Sequence, residues 1–184
     1  MLNTLSIIGK EINKTNISWG VGGSLLLSFY QLIDRPNDID ILVDEQNAEQ
    51  LNELLSNIAR ANEVIHYAPY KTVYFSKYSI DNINIDVMGG FAIEHDEGIY
   101  KLPFNKESVV AHKKINGVEI PLCSLEDWYI LYWLIPGRQE KAILIENYFR
   151  NIGVSHPELL WEALNQPLPI TVKERVENLL NYIS

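Results

Sequence analysis

Apolar residues recur at helical spacing in Leu2, Leu5, Ile8 and Ile12, which predicts an amphipathic first helix to about Asn13. Residues 17–21 read as a short strand that runs into Gly22-Gly23-Ser24, and 25–32 as a mostly buried helix. Arg35-Pro36-Asn37 is a loop, because the residue before a proline is pushed out of helical geometry. Polar and apolar residues then alternate over 38–43, the pattern of a strand with one buried face. Asp44 is placed to cap a helix over 46–60. Strands are predicted at 64–67, 72–77 and 83–88, with turns at Asp81-Asn82 and Gly89-Gly90. Asn116-Gly117, between apolar runs at 109–115 and 118–122, is a strong hairpin signal.

From Ser124 onward the periodicity is helical. Ser124-Leu125-Glu126-Asp127 resembles a capping box, and Thr171-Val172-Lys173-Glu174 is a regular one. Pro136-Gly137 separates a helix ending near Ile135 from another starting near Arg138. The fold expected is therefore α/β (α+β): a mixed sheet with flanking helices over residues 1–122, then a helical C-terminal lobe over 123–184.

Composition narrows the function more than the fold. The 184 residues, 47% hydrophobic and 21% charged, suit one globular core rather than a disordered chain. Fifteen Lys and Arg against 24 Asp and Glu give a net charge of −9, which disfavours a long nucleic acid as partner. The longest apolar run, 128–135, is eight residues, so no membrane partner is expected. The start has no basic segment leading a long apolar stretch, so no secretory leader is expected, and a lone Cys123 makes no internal disulfide. The compartment expected is the cytoplasm. His66, His95, His112 and His156 are far apart in sequence, and no zinc spacing is present.

Three features carry chemistry. Gly22-Gly23-Ser24 lies at a strand-to-helix turn, where glycine permits close approach and free N–H groups with a hydroxyl suit a phosphate; a purely structural turn is the alternative. Asp38 and Asp40 are two apart on a strand and project to one side. Two such charges about 4 Å apart repel by about 4 kcal/mol at an effective dielectric near 20, which a divalent cation relieves. Oxygen ligands with open positions suit Mg²⁺, while a charge-protected sheet edge is the plainer reading. Asp86, in Ile83-Asn84-Ile85-Asp86-Val87, is the third: if its strand lies beside the first, three carboxylates converge and can hold two divalent ions. Asp44 and Asp81 compete for that place, but a cap and a turn explain them more simply.

The series Gly22-Gly23-Ser24, Asp38-Ile39-Asp40 and Asp86 resembles the nucleotidyltransferase superfamily that includes DNA polymerase β. Arg35-Pro36-Asn37-Asp38-Ile39-Asp40-Ile41 is most similar to its small bacterial branch of aminoglycoside and lincosamide nucleotidyltransferases, and 121–127 with Arg138 and Lys141 is similar more loosely. Members often carry a lysine where 128–135 has none. The resemblance implies transfer of a nucleoside monophosphate from a Mg²⁺-bound NTP, with ATP the first candidate, to a hydroxyl of a small molecule, releasing pyrophosphate. Aminoglycoside- and lincosamide-like molecules are among the acceptors implied. Asp38 and Asp40 would match metal ligands, Asp86 the third carboxylate (ligand or general base), and Gly22, Gly23 and Ser24 the phosphate turn. A protein or tRNA acceptor, as in toxin–antitoxin relatives, is the second reading, and a non-catalytic nucleotide-binding domain the third.

Secondary signals add to this. Arg138 and Lys141 share a face at a helix start, suiting either a triphosphate or solvent. Arg35 suits a phosphate or its own loop. Tyr67, Tyr70, Tyr74 and Tyr78, with Trp128, Tyr132 and Trp133, can stack a base or simply pack. Glu94, Asp96 and Glu97 form an acidic loop able to attract a cationic acceptor or merely face water. A monomer or homodimer is expected.

Overall fold

A computed structural model describes residues 1–183. Helix α1 (Leu2–Ile12) leads into β1 (Trp19–Val21), α2 (Gly23–Phe29) and β2 (Ile39–Val43). A 3₁₀ turn (Glu45–Asn47) and α3 (Ala48–Ser56) precede β3 (Arg60–Asn62), β4 (Tyr74–Ile80) and β5 (Ile83–Gly89). A small hairpin, β6 (Ala92–His95) and β7 (Gly98–Lys101), comes before β8 (Val109–Ile115) and β9 (Val118–Cys123). Helices α4 (Leu125–Leu134), α5 (Gln139–Ile152), α6 (Pro157–Leu164) and α7 (Ile170–Ile183) complete the chain. Among the described residues no helix is long and apolar enough to cross a membrane.

Seven strands form one mixed sheet in the order β3-β4-β5-β2-β1-β9-β8. The centre holds two parallel pairs, β2 with β5 and β1 with β9, while the remaining neighbours are antiparallel. Ile39, Ile41 and Val43 of β2 and Ile85 and Val87 of β5 are buried, as alternation requires. One apolar cluster runs from α1 through the sheet into the helical tail. Helix α4 is buried around almost its whole circumference, the acids Glu126 and Asp127 of its first turn included, and its neighbours α5 and α6 pack on it.

Two tight hairpins fix the register. Asn116 and Gly117 both have positive φ (50° and 82°), and so do Asp81 and Asn82 (49° and 62°), the geometry of two-residue turns that match strand twist.

Several expectations need correction. Residues 64–67 are not a strand; sheet pairing ends at Asn62, and the chain next pairs at Tyr70, whose bridge is to Ile93 of the small hairpin. The helix expected over 46–60 is shorter, because Asp44 caps the 3₁₀ turn and Arg60 already belongs to the sheet. Helix α2 ends at Phe29, before Gln31 turns to positive φ. Thr171 lies inside α7 rather than capping it, since the Pro169 carbonyl accepts the N–H groups of Val172 and Lys173. Ser124 does cap α4, its hydroxyl accepting the Asp127 N–H at 3.0 Å.

Candidate active site

Strands β2 and β5 run parallel with Asp40 directly opposite Asp86. Asp38 precedes β2 by one residue, and oxygens of all three carboxylates lie within 4.8 Å of one another. Side chains at matched positions of adjacent strands share a face, so the parallel pairing itself builds the cluster. Their proximity raises the Asp40 carboxyl to about 8, through burial first and then the charges of Asp38 and Asp86. Lys141 and Lys77 act in the opposite direction. Burial and Asp38 also raise Asp86, against the pull of Lys77.

Asp86 has two differently used oxygens. Oδ2 accepts from Lys77 Nζ at 2.7 Å, whereas Oδ1 is buried without a hydrogen-bond partner. A buried carboxylate oxygen left unpaired is costly unless a cation or donor reaches it. Three converging carboxylates, one raised to about 8 and one with a free oxygen, fit an oxygen-preferring divalent ion.

The glycine turn is fitted to these acids. Gly22 N–H donates to the Asp40 carbonyl at 3.0 Å. Gly23 has φ of +60°, and a Cβ there would collide with the Asp40 carboxylate; one at Gly22 would strike the Trp128 indole. Ser24 is buried, and its Oγ accepts the Asn37 N–H at 3.0 Å, leaving the hydroxyl hydrogen free to donate. Helix α2 is only seven residues long, so the Ser24 hydroxyl matters more here than a helix dipole.

A cleft of about 460 Å³ includes the three acids in its lining, together with Ser24, Asn37, Tyr132, Arg138 and Lys141. The basic pair thus faces the acids and not bulk solvent alone. Burial and Arg138 lower the Lys141 ammonium, while Asp40 and Asp38 raise it. Lys141 Nζ also lies 5.3 Å from the Tyr132 ring centre. Gly22 and Gly23 do not themselves line the cleft; they pack closely against Trp128 and Asp40.

Other expected residues lie elsewhere. Arg35 is exposed and does not line the cleft. Asp44 Oδ1 accepts the Gln46 N–H at 2.9 Å, and Asp81 sits in its turn, so both have local roles. The acidic loop is the β6–β7 turn: Glu94 pairs with Lys71 and Glu97 with His95, and none of its acids lines the cleft. Tyr67, Tyr70, Trp128 and Tyr132 line it; Tyr74, Tyr78 and Trp133 do not.

Sequence reasoning missed Lys77, Phe75, Met88 and Phe91, which also line the cleft. Lys77 had a signal: a two-residue turn at Asp81-Asn82 pairs Ile80 with Ile83, and counting outward puts Lys77 opposite Asp86.

A sequence model described as aminoglycoside-2''-adenylyltransferase matches residues 4–147. The chain belongs to this family. It is accordingly a nucleotidyltransferase, of a kind that uses an NTP and a divalent metal. Solved structures agree on the fold. A protein of Thermotoga maritima, TM1012, assigned as a nucleotidyltransferase, is 25% identical with a TM-score of 0.62, over 82% of this chain and 92% of that one. ANT(2'')-Ia in complex with adenylyl-2''-tobramycin is 15% identical with a TM-score of 0.55, over 99% and 95%. The solution structure of the antibiotic-resistance factor ANT(2'')-Ia is 16% identical with a TM-score of 0.52, over 98% and 91%. Among curated proteins none matches the sequence.

Proposed function

We propose that this family member transfers a nucleoside monophosphate from a Mg²⁺-bound NTP, with ATP the first candidate, to a hydroxyl of a small molecule. The observation that carries the reading is the convergence of Asp38, Asp40 and Asp86 beside the Ser24 turn and the Arg138–Lys141 pair. The acceptor oxygen forms a bond to the α-phosphorus, the bond from that phosphorus to the bridging oxygen breaks, and pyrophosphate leaves with the electron pair.

Asp38, Asp40 and Asp86 would hold the Mg²⁺ ions, which when bound offset carboxylate repulsion and draw charge from phosphate oxygens. Asp86 Oδ1, unpaired and with its carboxyl raised, is suited to take the acceptor hydroxyl's proton. The Ser24 hydroxyl, Arg138 and Lys141 hold the triphosphate and stabilise the charge that gathers on departing pyrophosphate. Arg35 has no part in this reading. The sheet, whose last strand ends at Cys123, supplies the acids, and the helical part that follows supplies Arg138 and Lys141. A single, buried cysteine suits work in the reducing cytoplasm.

The test is Mg²⁺-dependent release of pyrophosphate with labelled ATP against aminoglycosides, neutral glycosides, total tRNA and cell protein. Asp38→Asn with Asp40→Asn is expected to lower release by at least about a thousandfold, because both act on the reacting phosphate, with thermal unfolding still cooperative. Undiminished turnover in that variant would sink the proposal. Label appearing on tRNA or protein alone would reject the small-molecule acceptor.

A further inference from the structure

Two lysines line the cleft with the three acids, and they are held differently. Lys77 Nζ is paired with Asp86 at 2.7 Å. Lys141 is in no ion pair among the described residues, although Asp40 and Asp38 are near enough to act on its charge. Its ammonium lies instead against an aromatic ring, 5.3 Å from the centre of Tyr132. A flexible four-carbon stem lets a lysine follow the strongest nearby charge, so a seat short of the acids needs a cause.

Tyr132 supplies that cause, because it cannot move aside. The residue is 3% exposed and packs on Trp128, one turn earlier on α4, with the ring centres 5.3 Å apart. Trp128, equally buried, packs in turn near Phe91, at 6.4 Å between centres, and on Gly22, where no room is left for a Cβ. The glycine turn, the indole, the phenol ring and the ammonium thus form one packed series.

The chemistry of the seat matters. A carboxylate partner would occupy the ammonium and a metal-ligand oxygen together. An aromatic face attracts the ammonium through its quadrupole and takes no ligand oxygen from the site. Arg138 repels the same ammonium, so an attractive face beside it counts for more.

We propose that Tyr132 is a positioning residue: its ring face holds the Lys141 ammonium clear of Asp38 and Asp40, leaving the acids open to metal and the lysine to the triphosphate. The proposal rests on the nucleotidyl-transfer reading and adds a residue to it. Tyr132 acts through Lys141 and not by stacking on the base.

The experiment compares Tyr132→Phe with the same chain carrying trifluorophenylalanine in place of Tyr132, a ring of similar shape whose face no longer attracts a cation. Calorimetry on the full chain measures binding of a non-hydrolysable ATP analogue with Mg²⁺ present, and of Mg²⁺ alone. Relative to Tyr132→Phe, the fluorinated chain should bind the analogue about fivefold more weakly, the size of a partly desolvated cation–π contact. Mg²⁺ alone should bind at least about twofold more weakly, as when half the molecules hold the ammonium on the acids. Both differences should vanish when Lys141→Met is added to each chain, since the ring then has no cation to hold.

Equal affinities in the two chains, for the analogue or for Mg²⁺, overturn the proposal. So does a fluorination effect that survives Lys141→Met, which would give the ring to the base. Neither result touches the nucleotidyl-transfer reading, which falls if the unmodified chain binds no analogue with Mg²⁺ and releases no pyrophosphate.

Discussion

Lys77 and Asp86 stand opposite each other in the β4–β5 register, joined at 2.7 Å through Nζ and Oδ2, and that contact leaves the second carboxylate oxygen, Oδ1, without a partner. The lysine fixes the orientation of Asp86 and holds its carboxyl down against burial and Asp38, and it acts in the same direction on Asp40. Lys77→Met keeps most of the stem and removes the charge. Both carboxyls then rise further, so the acid limb of the pH–rate profile for pyrophosphate release moves to higher pH. We expect kcat/KM to fall about tenfold near pH 6.5 and less near pH 8.5, one decade per unit of pKa. Equal losses at both pH values would mean that Lys77 acts only as packing.

Asp40, raised to about 8, holds its proton in the metal-free protein at neutral pH. Binding of Mg²⁺ requires the carboxylate, so metal uptake near pH 7 should expel close to one proton from this site. Affinity for Mg²⁺ should rise with pH up to about 8 and level off above it, since deprotonation is then complete. Calorimetry in buffers of different ionisation enthalpy measures the released proton directly. Asp40→Asn should release markedly fewer protons, and a pH-independent Mg²⁺ affinity in the wild type would contradict the shift.

The chemistry was more legible in the sequence than the walls around it. Alternation in β2 and β5 places Asp40 and Asp86 away from the core, and the observed pairing brings them together. The 64–67 segment misleads because Val64, Ile65, His66 and Tyr67 read as a strand by composition, yet Ile65 and Tyr67 stay uncovered beside a cleft. Apolar side chains kept for a ligand resemble side chains kept for a core. The β6–β7 hairpin escapes for another reason. Its strands are four residues each, and Ala92 and Ile93 are both buried, so no period of two emerges. The Arg138–Lys141 pair shows a common face in sequence, but only the packing of α4 and α5 shows which way that face looks.

Gly23→Ala separates backbone strain from collision. A φ of +60° costs an L side chain about 1–2 kcal/mol wherever it occurs. At Gly23 the new methyl also displaces the Asp40 carboxylate, and displaced catalytic groups lose about a hundredfold in rate. Gly117→Ala is the matched control: φ is +82° and nothing lies within 4 Å of the added carbon. Gly117→Ala should lose thermal stability by the strain alone and keep pyrophosphate release, whereas Gly23→Ala should lose more stability, because of the added collision, and lose pyrophosphate release as well. Equal activities would remove the turn from the site's machinery.

Asp127, at the start of α4, is buried and raised to about 7, by burial first, with Glu126 and Glu162 adding repulsion. Ser124 and His156 oppose the rise. An unfolded Asp titrates near 3.9, so the folded chain binds this proton more tightly than the unfolded one. Its contribution therefore favours folding fully below about pH 4, declines as pH rises toward 7, and is gone above that. Asp127→Asn keeps the shape and removes the titration. The variant should be more stable than the wild type at pH 8, by an amount on the order of 2–4 kcal/mol, and so unfold at a higher temperature, with the gap narrowing toward pH 5. Thermal unfolding of both proteins at pH 5, 6.5 and 8 reads the effect as a difference between two otherwise matched curves. Parallel curves at all three values would mean that the Asp127 charge is neutralised in the fold by a partner strong enough to cancel its burial.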